Sequence, residues 1–320
     1  MKKTILLAAL LVPAITFTSC LNSDGDNTQK TTINYGNNMC FNVVTDMNDP
    51  EHPFITTAPN YIIDINFTEG TGVMSMSNIK FTPNGSNLTY RLPAMPLTIS
   101  NTDYSYNLKG SLLTPEGQED QIMFNNVSFS IIERSISISG QLGYAPIYKL
   151  DFTASNLSNN YKISAFPHSY YFPADDIIST PLNPESDDEP YTYNNAVVRI
   201  VLTPDKTDSQ KLTASLTLFD VKFNSSMSTV SLSAENLPVK VDSNGFSITT
   251  EEDKKIELKD AAGVMKDCSI SNIKTRTLVP QGNTTMSFDI DLEALNPQHP
   301  IKPCHVNASL TYTYPKKDNN

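Results

Sequence analysis

The residue with the clearest chemistry in this sequence is Cys20, which ends an apolar stretch near the N-terminus. Lys2 and Lys3 come first, and a mainly apolar run from Ile5 to Phe17 follows them. A positive start followed by a short apolar run is typical of a secretory leader, and the run is too short to span a bilayer and remain there. We therefore expect residues 1–19 to be removed as a signal peptide.

The four residues FTSC, which end at Cys20, are similar to a bacterial lipoprotein box. This resemblance implies that Cys20 is lipidated and becomes the mature N-terminus, so that it anchors the protein to a membrane. The alternative is an ordinary leader cleaved near Ser19, which would leave Cys20 as a free thiol.

An acidic, polar segment follows Cys20 and contains Asp24 and Asp26. It has no apolar periodicity, and the composition predicts a flexible, solvated tether over residues 20–38. The two aspartates resemble the acidic signals that export Bacteroidetes lipoproteins to the cell surface. The sequence thus predicts an outer-membrane lipoprotein at the surface, with the periplasmic face of that membrane as the alternative.

Charge excludes some partners. The chain carries a formal net charge of −11 over 320 residues. Nucleic acids and anionic lipid surfaces attract basic proteins, so neither is an expected partner, and the lipid anchor is the expected membrane contact. The length is sufficient for two hydrophobic cores.

An internal repeat supports two units. Lys80-Phe81 matches Lys222-Phe223, and Pro96 matches Pro238 at the same offset of 142 residues, without a gap between the two matches. Such self-similarity indicates duplication. The predicted organisation is a signal peptide, a tether, two β-barrel repeats that flank a linker rich in Pro, Asn, Ser and acidic residues, and a tail, over 1–19, 20–38, 39–155, 156–190, 191–314 and 315–320.

Most patterned segments alternate apolar and polar residues with a period of two, as in TMSFDIDLEAL from Thr285. Each unit holds roughly eight such runs, which predicts an all-β fold of two tandem antiparallel barrels, with a sandwich as the alternative. The alternation changes parity at Asn78 and again at Asp220, so we expect a β-bulge at both places. A weak helix pattern covers residues 254–264.

The four histidines match no metalloprotease, zinc or nucleophile-elbow spacing, so we expect no catalysis, metal or cofactor. If Cys20 is lipidated, three cysteines remain, and Cys268 could form a disulfide with Cys304. The alternative is that Cys268 is simply a buried apolar residue. In the linker, four aromatic residues form a candidate binding patch or could instead dock on a neighbouring sheet: Phe166, Tyr170, Tyr171 and Phe172.

The segment LTLFDVKF, the later ENLPVKVDSNGFSIT and the lipoprotein leader resemble the calycin-like β-barrel lipoproteins of gut Bacteroidetes. The resemblance covers both repeats and implies barrels, but it brings no functional residues. The lipocalin hallmark Gly-x-Trp is absent, since the chain has no Trp.

These patterns favour a non-enzymatic, lipid-anchored protein that binds a small molecule, a glycan or another protein, or that acts as an adhesion module. The second hypothesis is a structural subunit of a surface assembly, and the third is an envelope hydrolase. A polar barrel interior would favour ligand binding, whereas an apolar interior would favour a scaffold.

Overall fold

The computed structural model describes residues 29–310 except for a set of short gaps. The gaps are residues 37–38, 101–104, 118–121, 133–134, 145–146, 157, 186–188, 206–207, 209–210, 243–244, 277–283 and 296–300. The predicted leader, Cys20, Asp24, Asp26 and the predicted tail therefore lie outside the described residues.

The described chain is almost entirely antiparallel β-structure, as the period-two alternation predicts. A first large sheet has the strand order β1-β4-β5-β7-β8-β9-β12-β13-β2-β3, and β6 also pairs with β5. The strands of the first unit, including a separate hairpin of β10 and β11, are β1 Lys30–Tyr35, β2 Cys40–Asp46, β3 Asp49–Thr57, β4 Asn60–Asn66, β5 Thr71–Ile79, β6 Leu88–Arg91, β7 Met95–Ser100, β8 Ser105–Gly110, β9 Met123–Ile132, β10 Ser135–Ile138, β11 Gln141–Tyr144, β12 Ile147–Ser155 and β13 Asn160–Pro167.

A second large sheet follows directly. It has the order β15-β14-β16-β17-β18-β20-β21-β22-β23, β19 pairs with β18, and β14 also pairs with β23. Its strands are β14 Ser169–Pro181, β15 Tyr191–Tyr193, β16 Val197–Pro204, β17 Leu212–Val221, β18 Val230–Asp242, β19 Gly245–Ile248, β20 Ile256–Asp260, β21 Gly263–Thr275, β22 Thr284–Asp291 and β23 Cys304–Leu310, with a 3₁₀ turn at Glu293–Leu295.

Strand β14 closes the second sheet into a barrel. Its first part, residues 169–173, pairs with β16, and its second part, residues 174–181, pairs with the last strand, β23. The ladders thus form a ring of eight strands, which removes exposed edges. The predicted barrel, and not the sandwich alternative, therefore describes this unit.

The first unit closes in the same way, but with a divided strand. Strand β1 pairs with β4, and β2 pairs with β13, while residues 36–39 join β1 to β2. The two strands together occupy the position that β14 alone occupies in the second unit. The units therefore share one topology, as a duplication requires.

The predicted bulges are confirmed in both units. The β5–β6 ladder shifts between Met76 and Ile79, and the β17–β18 ladder shifts between Leu218 and Val221. Asn78 and Asp220 have φ angles of 59° and 53°, a left-handed conformation that short polar side chains tolerate. The same backbone irregularity thus occupies the same position in each copy.

The predicted linker, 156–190, is wrong as an irregular segment. Strand β13 belongs to the first barrel and β14 to the second, and only His168 separates them. The first sheet likewise begins at Lys30, inside the predicted tether of residues 20–38. The weak helix pattern over 254–264 is also wrong, because β20 and β21 occupy it.

Apolar side chains occupy both barrel interiors. In the first barrel the largest fully buried side chains include Tyr35, Tyr61, Phe124 and Phe152. In the second barrel Phe246 and Phe288 have this role. The buried stripe of each strand faces inward, which is the usual origin of alternation in a small barrel.

The hydrophobic core of the second barrel extends into the first. Strand β2 turns Cys40 and Val44 toward the first interior, whereas Phe41 and Val43 join the cluster of the second barrel. The ring centroid of Phe41 lies 5.8 Å from that of Phe166, which belongs to the same cluster. The two barrels are therefore packed against each other through apolar side chains.

His168 occupies the junction between β13 and β14. Its Nδ1 donates a hydrogen bond of 2.7 Å to the carbonyl oxygen of Leu202, and its ring lies 5.5 Å from that of Phe41. Burial lowers the pKa of His168 below its ordinary value, while hydrogen bonds with backbone groups of Leu202 and Cys40 oppose the shift.

We expect acid to weaken this junction. Because the folded-state pKa is lowered, the unfolded chain binds the proton more readily, so stability falls as the pH drops through the ordinary histidine pKa of about 6.5 and is unaffected well above it. Urea unfolding midpoints at several pH values measure the effect. His168→Gln should flatten this part of the pH dependence, and an unchanged profile would contradict the prediction.

Candidate functional site

The predicted aromatic patch is not a binding surface. Phe166, Tyr170 and Phe172 are each no more than 6% exposed and belong to the core of the second barrel. The Tyr170 ring lies 6.1 Å from Phe172 and 5.0 Å from Phe246. These side chains could not present their faces to a ligand, so the docking alternative describes them.

Tyr171 points to the other side of β14 and has a structural role. The Arg199 guanidinium lies 5.4 Å from the centre of its ring, within cation–π distance. Tyr171 also packs against a small cluster of Val197 and Ile138, and Ile138 belongs to the β10–β11 hairpin of the first unit. Next to it, the Ser139 hydroxyl donates to Asp220 Oδ1 over 2.9 Å. The hairpin therefore fastens the first unit to the second.

The predicted disulfide is wrong, because Cys268 and Cys304 are both buried free thiols. Cys304 pairs with Ile290 of β22, and β22 separates β23 from β21, which carries Cys268. Two strand spacings amount to about 9.5 Å, and a disulfide needs Cα atoms within roughly 7 Å. Burial raises the pKa of Cys268 and raises the pKa of Cys304 to about 12, so both thiols stay protonated.

Two of the four histidines, His52 and His305, each contact an aspartate. His52 Nδ1 lies 2.7 Å from Asp49 Oδ1 on the surface, and His305 Nδ1 lies 2.6 Å from Asp289 Oδ1 on the wall of the second barrel. His299 lies outside the described residues. Within the described ranges, no group of three or more His, Cys, Asp or Glu residues could hold a metal ion.

A shallow groove of about 380 Å³ lies on the outer wall of the second barrel, and it is the candidate site. Strands β21, β22 and β23 provide it. Its lining residues are Lys274, Thr275, Arg276, Thr285, Met286, Ser287, Asn307, Ala308 and Ser309. Met286 and Ala308 are buried and form the floor, whereas the outward side chains are polar.

Strand register arranges the outward side chains in two rows. Lys274 pairs with Ser287, and Ser287 pairs with Asn307. The second row begins at Arg276, two residues after Lys274 and directly after the end of β21. The backbone N–H of Arg276 donates to the carbonyl of Thr285, which pairs with Ser309. Partners directly opposite in antiparallel strands point to the same face, so each row crosses three strands.

Strand β14 extends both rows. Asn307 pairs with Ile178, and Ser309 pairs with Asp176, which is exposed. The second row thus has a guanidinium at one end and a carboxylate at the other, with two hydroxyl groups between them. With neighbouring strands about 4.8 Å apart, the four strands span about 14 Å.

The two cations of the groove have no carboxylate partner among the described residues, although Lys255, Lys259 and Lys302 of the same barrel form ion pairs. The nearest carboxylate along β22 is Asp289. It is already occupied, because the Asn272 amide donates to its Oδ2 over 2.7 Å and His305 contacts its Oδ1. The groove therefore presents unneutralised positive charge on an acidic protein.

Sequence reasoning missed this groove. The alternation in TMSFDIDL and HVNASLTY identified polar outer faces, but it could not show which polar residues lie side by side. A register shift in the β21–β22 ladder between Ser271 and Lys274 decides this alignment. The change of apolar parity from Cys268 and Ile270 to Ile273 is the sequence signal that could have located it, since it is the same signal as at Asn78.

No family model and no curated protein matches the chain. The calycin-like resemblance is therefore not confirmed. Among solved structures, the chain is similar to a protein from Bacteroides fragilis described as a "putative outer membrane protein". That match covers 87% of this chain and 96% of the other at 11% identity, with a TM-score of 0.29. A likeness at this level assigns no function.

No helix among the described parts of the chain is long and apolar enough to cross a membrane.

Proposed function

We propose that this protein is a lipid-anchored, non-catalytic binding module of the outer membrane, displayed at the cell surface. It binds through the outer wall of its second barrel and not inside a barrel. The observation that carries this proposal is the contrast between apolar, tightly buried interiors and a polar groove on the outside. A small-molecule carrier needs an open pocket with a few polar groups, whereas the buried side chains of both clusters are mainly apolar.

The distance between anchor and fold fits this proposal. The lipid would be attached at Cys20, and the first strand begins at Lys30. The intervening chain, even fully extended at 3.3 to 3.6 Å per residue, reaches roughly 35 Å. The barrels would then stay close to the membrane, and the tether would leave them free to turn toward a ligand.

The packed interiors also support the second candidate, a structural subunit of a surface assembly. The two barrels contact each other through Phe41, Phe166 and the β10–β11 hairpin. Such a pair of packed barrels could act as a rigid structural element. In that case the polar wall would contact another protein. Binding of the purified chain to polysaccharides or peptides, measured directly, separates the two candidates.

Loss of the thiol at residue 20 should release the protein. Cys20→Ala removes the atom that carries the lipid, and no other anchor is expected from the sequence, so the variant should move almost completely from the membrane fraction to the soluble fraction. Fractionation followed by immunoblotting measures this change. A variant that stays in the membrane pellet would contradict the proposed anchor.

Treatment of intact cells with protease tests whether the protein is displayed at the cell surface. Intact cells treated with protease should lose the full-length wild-type protein, and replacing Asp24 and Asp26 with Ala should protect it while membrane retention persists. The neighbouring residue Ser23 provides the matched substitution, since Ser23→Ala leaves the charge unchanged. Equal cleavage of all variants would show that the aspartates do not direct export.

A further inference from the structure

We infer that the groove on the second barrel binds an acidic polysaccharide, whose carboxylate or sulfate groups contact Lys274 and Arg276 and whose hydroxyl groups lie along the two polar rows. This inference rests on the proposed function, because it names the ligand class of the proposed outer-wall site.

The cation pair indicates an anionic ligand. Lys274 and Arg276 are two residues apart on one extended segment, so they project from the same face with Cα atoms about 7 Å apart. Neighbouring like charges repel each other, and neither has a carboxylate partner among the described residues. An anion between them would relieve the repulsion and accept charge-assisted hydrogen bonds from both side chains.

The rest of the lining suits the hydroxyl groups of a sugar chain. Thr285, Ser287, Asn307 and Ser309 each offer both a donor and an acceptor, and they point out of the wall in two rows. The rows lie about 7 Å apart along the strands, and the side chains within a row lie about 4.8 Å apart. A flat ligand with many hydroxyl groups could contact several of these positions at once.

Other classes of ligand fit less well. A peptide that binds by strand addition needs a free strand edge, but β21, β22 and β23 are paired on both sides. A helical peptide needs an apolar groove, and the apolar groups here are the buried floor residues Met286 and Ala308. Nucleic acids and anionic bilayers are bound mainly through many Lys and Arg contacts, whereas the lining of the groove provides two cations among hydroxyl and amide groups. A neutral polysaccharide would depend on aromatic stacking, and no aromatic residue lines the groove.

The carboxylates at the border of the groove set a further condition. Asp176 ends the second row, and Asp289 follows Ser287 on β22. Both repel anions, so the favourable region for a negative group is confined to the end at Lys274 and Arg276. The bound ligand therefore places an acidic group at Lys274 and Arg276 and its hydroxyl groups toward Asp176.

The test compares acidic and neutral forms of the same polymer with the full mature chain. Polygalacturonate and its methyl ester form a carboxylate pair, and dextran sulfate and dextran form a sulfate pair. Polyglutamate represents acidic peptides. The variant is Lys274→Gln with Arg276→Gln, and the control is Lys240→Gln with Lys266→Gln, which removes two exposed positive charges from elsewhere on the same barrel.

We expect the acidic polymers to bind, and the groove variant to bind them about tenfold more weakly or worse, since it loses two charge-assisted contacts. The control variant should bind like the wild type. Binding should also weaken as ionic strength rises to about 0.5 M. A difference between polygalacturonate and dextran sulfate would identify the preferred anion.

The outcomes distinguish the inference from the proposed function. Binding to neutral polymers, binding to polyglutamate alone, or acidic binding that the groove and control variants reduce equally would overturn the inference but leave a binding module. Failure to bind any polymer would overturn both and favour the structural subunit. Circular dichroism and unfolding midpoints of both variants should match the wild type, because all four substitutions are on the surface.

Discussion

Phe41→Ala should destabilise both barrels at once, although Phe41 belongs to the first. The side chain is fully buried, and such a truncation costs about 3 to 5 kcal/mol of unfolding free energy because it removes apolar contacts and leaves a cavity. Phe41 also belongs to the apolar cluster of the second barrel. The loss of stability should therefore appear as reduced protection of amide protons from hydrogen exchange in strands of both units.

Calorimetry and hydrogen exchange with mass spectrometry measure this coupling. We expect one cooperative transition in the full chain, and the Phe41→Ala variant should lower it as a whole. Phe67→Ala is the matched control, because Phe67 is half-buried at the periphery of the first core, packed against Tyr106, and outside the shared cluster. Two separate transitions, with only the first one shifted by Phe41→Ala, would show that each barrel folds independently.

The sequence predicted the β-class, the duplication and the bulges, because these depend on local alternation and on comparison of the two copies. The parity change at Asn78 and Asp220 is such a local signal, and the left-handed backbone there confirms it. Asn126 and Asp267, which occupy matching places in NNVSFSII and KDCSISNI, also share positive φ angles of 52° and 57°. The copies therefore preserve their irregularities as well as their strands.

The composition of residues 156–190 did not indicate the strands β13 and β14 that lie there. The prolines in residues 156–190 suggested irregular structure, yet the three that lie in strands each occupy a place where a strand tolerates proline. Pro167 and Pro181 end β13 and β14, and Pro173 lies where β14 changes partner from β16 to β23. The same composition suggested that the aromatic residues nearby were available for a ligand, although Phe166 of β13 and Tyr170 and Phe172 of β14 lie in the core of the second barrel.

Groove formation depends on long-range register, which is why the sequence could not predict it. Lys274, Ser287 and Asn307 are neighbours only because the β21–β22 and β22–β23 ladders align them. A slip of one residue in either ladder would turn the polar side chains of that strand into the barrel and its apolar side chains outward. Burial of the apolar side chains therefore fixes the register, and the register places the groove residues side by side. The packing of the barrel and the proposed binding surface are thus two consequences of the same alignment.

The duplication also provides a prediction with a built-in comparison, because Phe81 and Phe223 occupy the same place in the two repeats but differ in burial. Phe223 is 3% exposed and lies edge-on to Phe288, whereas Phe81 is half-buried against Tyr90 and Tyr161. Phe223→Ala should therefore cost about 3 to 5 kcal/mol, and Phe81→Ala distinctly less, since solvent already reaches that ring. Urea unfolding of both variants in the full chain measures the difference.

The same variant tests the shared core. The apolar cluster that contains Phe223 also contains Phe41 and Phe166 of the first barrel, so loss of the Phe223 ring should lower the single transition of the whole protein. Equal losses for the two variants would contradict the difference in packing between the copies, and a Phe223→Ala variant that leaves the first barrel at full stability would contradict the shared core.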